Sequence, residues 1–114
     1  MNHSFYFMAG LPRAGSTLLK SIIDQNPNVH TEPVSPVMEI MYHSEKYFFK
    51  QSEQYIGYPK PKNAYKIVSS YIQNYYYDVE KPIVIDHNRA WSNNIERIKT
   101  YIHPNPKIIC PVRD

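Results

Sequence analysis

Short unbroken apolar runs alternate along this chain with longer stretches in which apolar residues return every three or four positions. The first run, residues 4–9, does not alternate and predicts a strand buried on both faces. Leu18, Leu19, Ile22 and Ile23 have helical spacing and predict a helix from about Gly15 to Gln25, stopped by Asn26-Pro27-Asn28. Val29 to Glu32 reads as a short second strand ended by Pro33, and a helix is predicted from about Pro36 to Gln54 on the spacing of Val37, Ile40, Met41, Tyr47, Phe48 and Tyr55. A loop through Gly57 and Pro61 separates it from another helix, marked by Ala64, Ile67, Val68, Tyr71, Ile72 and Tyr75 and running to about Tyr77.

Pro82 to Asp86 is a third buried strand. Asn93 with Glu96 three positions on fits a capped helix carrying Ile95, Ile98, Tyr101 and Ile102. His103-Pro104-Asn105-Pro106 ends that helix, and Lys107 to Val112 is a fourth strand. Strands alternating with helices predict an α/β fold around a mostly parallel sheet. Neither a repeat nor a linker divides the chain. It stops at Asp114, directly off the fourth strand, where such folds place a ligand loop and another helix. Residues 1–114 are therefore expected to be the N-terminal part of one larger domain, truncated after the fourth strand.

Between the first strand and the first helix lies Gly10-Leu11-Pro12-Arg13-Ala14-Gly15-Ser16-Thr17. Strand, glycine loop and helix in this order form a phosphate cradle, with loop amides and a helix N-terminus aimed at an anion. The spacing Gly10-x4-Gly15 matches a Walker A loop, but Ser16 stands where that loop carries Lys, and the cation is Arg13 inside the loop. Nucleoside-triphosphate enzymes use that Lys on the β- and γ-phosphates. An ordinary turn would explain two glycines, but not Arg13, Ser16 and Thr17 beside them.

Composition narrows the field further. Hydrophobic residues make up 42% and aromatic residues 14% of the chain, enough for a core. The net charge of +3 suits an anionic ligand and lacks the basic blocks of a nucleic-acid surface. Cys110, the single cysteine, cannot form an internal disulfide, and its apolar neighbours predict a buried strand thiol. Without a membrane-length apolar run or a signal segment, the expectation is a soluble, cytoplasmic protein. His30, His43 and His103 lack metal-ligand spacing, so no metal is expected.

The remaining polar positions are ambiguous one by one. Glu32, just after the second strand, can face the glycine loop or be a solvated carboxylate. Arg113 sits at the carboxyl end of a strand, where parallel sheets bind ligands, yet such arginines are commonly solvated. The segment Asp86 to Trp91 can be a surface loop whose tryptophan caps the core. Tyr75-Tyr76-Tyr77 is expected to pack, and Lys60, Lys62 and Lys66 to form a solvated face.

Taken together, Ala9 to Leu19 resembles the 5′-phosphosulfate loop of sulfotransferases, nearest to the bacterial, phage and protein-tyrosine branches. Asn26-Pro27, the segment Asp86 to Trp91, and Cys110-Pro111-Val112-Arg113-Asp114 resemble later parts of that family in the same order. The resemblance implies a P-loop-like three-layer α/β fold, the donor 3′-phosphoadenosine 5′-phosphosulfate (PAPS), no metal, and transfer to a hydroxyl or amine on a small molecule or protein. It implies that Arg13 and the amides of Ala14, Gly15, Ser16 and Thr17 hold the 5′-phosphosulfate and that Arg113 meets the 3′-phosphate. For the base it offers Glu32, near a catalytic Glu of the protein-tyrosine branch, and His87, comparable to a histidine of the cytosolic branch. Many relatives carry Lys where His87 stands, and the Ser partner of the 3′-phosphate arginine would lie past Asp114. Two alternatives remain open. One is a P-loop kinase or nucleotide-binding protein with a degenerate Walker A loop, and the other a non-enzymatic truncated fragment. The chain alone is expected to be marginally stable and a weak or inactive catalyst.

Overall fold

In the computed structural model, residues 3–10, 23 and 25–110 are described. Among the described residues, four strands form one sheet: β1 (Ser4–Met8), β2 (Val29–Thr31), β3 (Ile83–His87) and β4 (Ile108–Ile109). All pairings are parallel, in the spatial order β2-β3-β1-β4. Thr31 lies opposite Ile85, and Met8 lies opposite both His87 and Ile109. The carboxyl ends of all four strands therefore share one edge.

The strand order sets the position of the ligand edge. The next strand in sequence, β2, lies beyond β3 from β1, whereas β4 lies on the other side of β1. This reversal makes the carboxyl end of β1, where Gly10 follows, a topological switch point, the place where open parallel sheets bind ligands.

Between β2 and β3 run α1 (Val37–Lys46), a π-helical turn (Tyr47–Gln51), α2 (Glu53–Gly57) and α3 (Pro61–Tyr75). A 3-10 turn (Arg89–Asn93) and α4 (Ile95–Tyr101) connect β3 to β4. Val37, Met38 and Met41 of α1, Val68 and Ile72 of α3, and Ile98 and Tyr101 of α4 pack with Phe7, Val84 and Trp91 on one face of the sheet. On the other face Met8, Val29 and Ile85 pack with Ile23, just ahead of the Asn26-Pro27 breaker. The alternation of β1 between the two clusters, Phe7 on one side and Met8 on the other, follows from the two-residue period of a strand. The result is the expected α/β architecture, with an all-parallel four-stranded sheet compatible with a P-loop-like fold.

Several expectations are corrected in detail. The single helix expected over residues 36–54 is broken at Ser52, whose backbone is extended (φ −79°, ψ 108°). The Ser52 N–H reaches back to Tyr47 O at 2.8 Å, closing the π turn, while its hydroxyl accepts from Tyr55 N–H at 3.1 Å and starts α2. A serine able to cap competes with helix continuation, and apolar spacing cannot register that. Pro61 occupies the first turn of α3, where its missing N–H costs nothing, so this helix starts earlier than the apolar pattern suggests.

The cap expected at Asn93 is not formed. Asn93 belongs to the 3-10 turn and α4 starts after Asn94, whose side-chain amide donates to Ala90 O. Cys110 is exposed, contrary to the buried thiol expected from its neighbours. It follows a two-residue edge strand, so none of the described strands flanks it on the outer side. Of the three consecutive tyrosines only Tyr76 is buried (1% exposed), whereas Tyr75 and Tyr77 reach solvent. Tyr76 is the residue that caps the end of α3, and Tyr77 already lies in the turn that follows. Among the described residues, no helix is long and apolar enough to cross a membrane.

Candidate active site

An aspartate in the third strand, directly after Ile83-Val84-Ile85, must take its carboxylate into the interior or turn it out to water. Asp86 is fully buried. Alternation within β3 puts it on the face of Val84, under α3, and there it meets three donors. The indole N–H of Trp91 donates to Oδ1 at 2.7 Å, and the Tyr76 hydroxyl donates to Oδ2 at 2.7 Å. The Ser35 hydroxyl makes a short hydrogen bond to the same Oδ2. Burial pushes the Asp86 carboxyl above its ordinary range, while the three donors pull the other way and the charge of Glu32 adds to the rise. The Tyr76 phenol is driven well above its usual range by burial and by the same carboxylate.

Ser35 does more than donate to Asp86. Its N–H donates to His87 O at 3.0 Å, its carbonyl accepts from Asn88 Nδ2 at 3.1 Å, and its hydroxyl accepts from Val37 N–H at 3.3 Å. The segment leaving β2 is thereby clasped to residues 86–88 and to the start of α1. Asn88 in turn donates its N–H to Met8 O at 3.0 Å and accepts from Ala90 N–H at 2.9 Å. The ends of β1 and β3 and the segment leaving β2 are joined through the backbones and side chains of two small polar residues, Ser35 and Asn88.

This clasp sets the two candidate bases side by side along the edge but on different faces. His87 ends β3 and, by alternation, belongs to the face of Met8 and Ile85. Its Nδ1 is buried and finds no partner among the described residues, and the same holds for Oγ1 of Thr31. Glu32 follows β2 and turns to the face of Tyr76, where its Oε2 lies 2.7 Å from His30 Nε2. The His30 ring stands edge-on to Tyr76, with centroids 5.9 Å apart. Glu32 is thus neither a free surface carboxylate nor in contact with His87.

The other anticipated site residues, Arg13, Ala14, Gly15, Ser16, Thr17 and Arg113, lie outside the described residues. Gly10, which opens the loop, is buried at the end of β1. Among the described residues no group of three or more His, Cys, Asp and Glu side chains could hold a metal ion.

Sequence reasoning weighed His30 only as a metal ligand and Tyr76 only as a packing residue, passed over Ser35, and treated Asp86 only as part of a polar segment. One signal was available. A carboxylate at the end of an apolar strand needs buried donors, and Trp91, five residues on, was an obvious candidate. The partners from residues 35 and 76 come from distant parts of the chain and carried no such signal.

Comparison with known proteins agrees with this geometry. No curated protein matches the chain at a significant level. A family model described as "Sulfotransferase family" matches residues 6–114, from β1 through the strand ends and past β4. With nearly its whole length matched, from the glycine loop to Arg113, this chain belongs to the sulfotransferase family.

Proposed function

We propose that the chain binds PAPS along the carboxyl edge of its sheet and transfers the sulfuryl group to a hydroxyl or amine of a small-molecule or protein acceptor. The observation that carries this reading is the convergence of Gly10, Glu32 and His87 on adjacent strand ends at the switch point, within a sulfotransferase-family match. The buried Nδ1 of His87 and Oγ1 of Thr31, without partners among the described residues and on the face of Ile23, fit a polar ligand or loop seated there.

The donor supplies an activated sulfuryl group, and the residues do the rest. Arg13 and the amides of Ala14 to Thr17 hold the 5′-phosphosulfate and offset charge as it develops on the leaving phosphate. Arg113 holds the 3′-phosphate. Glu32 takes the proton of the attacking hydroxyl or amine, and His87 stands at the strand end beside the transferring group. In-line displacement needs a fixed geometry, which the Ser35 clasp provides for the Glu32 side of the site.

Isothermal titration tests the donor assignment. Adenosine 3′,5′-bisphosphate is expected to bind more tightly than ATP and without Mg²⁺. Equal or tighter Mg²⁺-dependent ATP binding would overturn the reading in favour of a nucleoside-triphosphate site.

A further inference from the structure

We infer that His30 is a positioning residue for the Glu32 carboxylate, so that the two work as an imidazole–carboxylate dyad. This rests on the sulfotransferase reading above and extends it to a residue that touches neither donor nor acceptor.

The argument begins with the strand. In extended chain, residues two apart lie on the same face, about 6–7 Å apart, and Glu32 directly follows β2. An imidazole at position 30 can therefore reach a carboxylate at 32. Val29 and Thr31 are buried on one face, while His30 turns to the face of Tyr76. There its ring is held edge-on by a tyrosine that is itself fixed by its hydrogen bond to buried Asp86. His30 thus has a rigid wall behind it and a carboxylate in front of it.

The contact uses one oxygen only. His30 Nε2–H donates to Oε2 of Glu32 at 2.7 Å, and among the described residues Oε1 has no partner. The side chains are about one quarter and one third exposed, 26% for His30 and 36% for Glu32, so the pair lies at the edge of the sheet rather than within the core. A carboxylate on a flexible stem samples several rotamers, and one strong donor to one oxygen selects among them. With Oε2 held, Oε1 is the oxygen left to accept a proton.

In the reaction the acceptor oxygen or nitrogen forms a bond to sulfur, and the bond from sulfur to the bridging phosphate oxygen breaks. The electron pair of that bond leaves with adenosine 3′,5′-bisphosphate, and the acceptor proton moves to Oε1 of Glu32. His30 keeps its own proton throughout. Its part is to hold the carboxylate at the distance and angle that proton transfer needs.

The test uses the full chain, radiolabelled PAPS and tyramine, which offers both a phenolic hydroxyl and an amine, with bisphosphate release followed in parallel. His30→Phe keeps the aromatic contact with Tyr76 and removes the N–H. It is expected to lower kcat by about ten- to a hundredfold, the scale on which a misplaced reacting group is felt, with KM for PAPS within about twofold. His30→Gln retains a neutral donor of similar reach and should recover most of that loss. Added to Glu32→Ala, His30→Phe should cost nothing more, because both act on one step. A readout independent of turnover is the long-range proton–nitrogen spectrum of the imidazole. It should show the Nε2–H tautomer in the wild type and a mixture in Glu32→Ala.

A His30→Phe variant that turns over like the wild type while Glu32→Ala is crippled would overturn the proposal alone. So would an imidazole spectrum indifferent to Glu32→Ala. A wild-type chain that neither binds adenosine 3′,5′-bisphosphate nor releases it from PAPS would overturn the sulfotransferase reading, and the role of His30 with it.

Discussion

Trp91 donates its indole N–H to Oδ1 of Asp86 at 2.7 Å, across five residues of chain that leave β3 and enter the 3-10 turn. Both side chains are fully buried. An indole can only donate and an ionised carboxylate can only accept, so this bond has a single polarity. It anchors the sheet edge to the helical layer, because Trp91 also packs edge-on against Phe7 of β1, with ring centroids 4.7 Å apart.

Removing one donor from Asp86 is expected to destabilise the fold without repacking it. Tyr76→Phe deletes a hydroxyl and leaves the ring in place, and should cost about 1–3 kcal/mol, as for other hydrogen bonds to buried charged groups. Ser35→Ala should cost at least as much, because that hydroxyl also accepts from Val37 N–H at 3.3 Å. Urea denaturation with an unchanged m-value would measure both, and a loss below about 0.5 kcal/mol for each would show that water replaces the donors.

The raised position of the Asp86 carboxyl fixes the sign of a pH effect. A carboxyl whose folded pKa exceeds its unfolded value binds its proton more tightly when folded. Its contribution to stability is therefore complete below the unfolded value and is lost as pH rises through the folded one. Asp86→Asn cannot titrate and lacks this term. The gap in melting temperature between the wild type and Asp86→Asn should widen in favour of the wild type as pH falls from neutral towards about 4. A gap independent of pH would place Asp86 at an ordinary carboxylate pKa.

The anion site predicts two separable arginine phenotypes. Arg13→Ala should weaken binding of adenosine 3′,5′-bisphosphate by about ten- to a hundredfold, corresponding to a charge-assisted contact of about 1.5–3 kcal/mol. Arg113→Ala should weaken the bisphosphate while leaving adenosine 5′-phosphate nearly unchanged. Titration calorimetry with both ligands separates them, and equal losses for the two ligands in Arg113→Ala would indicate a structural arginine.

Ser52 offers a local test of the break between the π turn and α2. Its hydroxyl caps Tyr55 N–H at 3.1 Å, so Ser52→Ala should cost about 1 kcal/mol. Met41→Ala, by contrast, opens a cavity at a fully buried position of α1 and should cost about 2–5 kcal/mol. Thermal melts that ranked the two the other way would contradict this account of the core.

The chain's pattern determined the element types and their order, because period-two and helical apolar spacing are local properties that burial on one face imposes on any such segment. The four strands, the Asn26-Pro27 break and the burial of Trp91 could all be anticipated in this way. So could the position of Glu32 and His87 at strand ends, since it needs only the strand assignments and a parallel sheet. Local signals failed where two short-range preferences compete, as at Ser52 and at Asn93 against Asn94. They failed again at Cys110, whose exposure depends on β4 lying at the edge of the described sheet.

Only the tertiary structure decided who surrounds Asp86 and how the two candidate bases are separated. The three donors come from residues 35, 76 and 91, and only the last is near in sequence. Glu32 and His87 fall on opposite faces because their strands pair with Thr31 opposite Ile85, a register that crossover connections and packing select. A shift of one residue would exchange the faces of β2 and bury His30 where Val29 and Thr31 now sit. Long-range register of this kind is a property of the assembled sheet, and no segment of the chain encodes it alone.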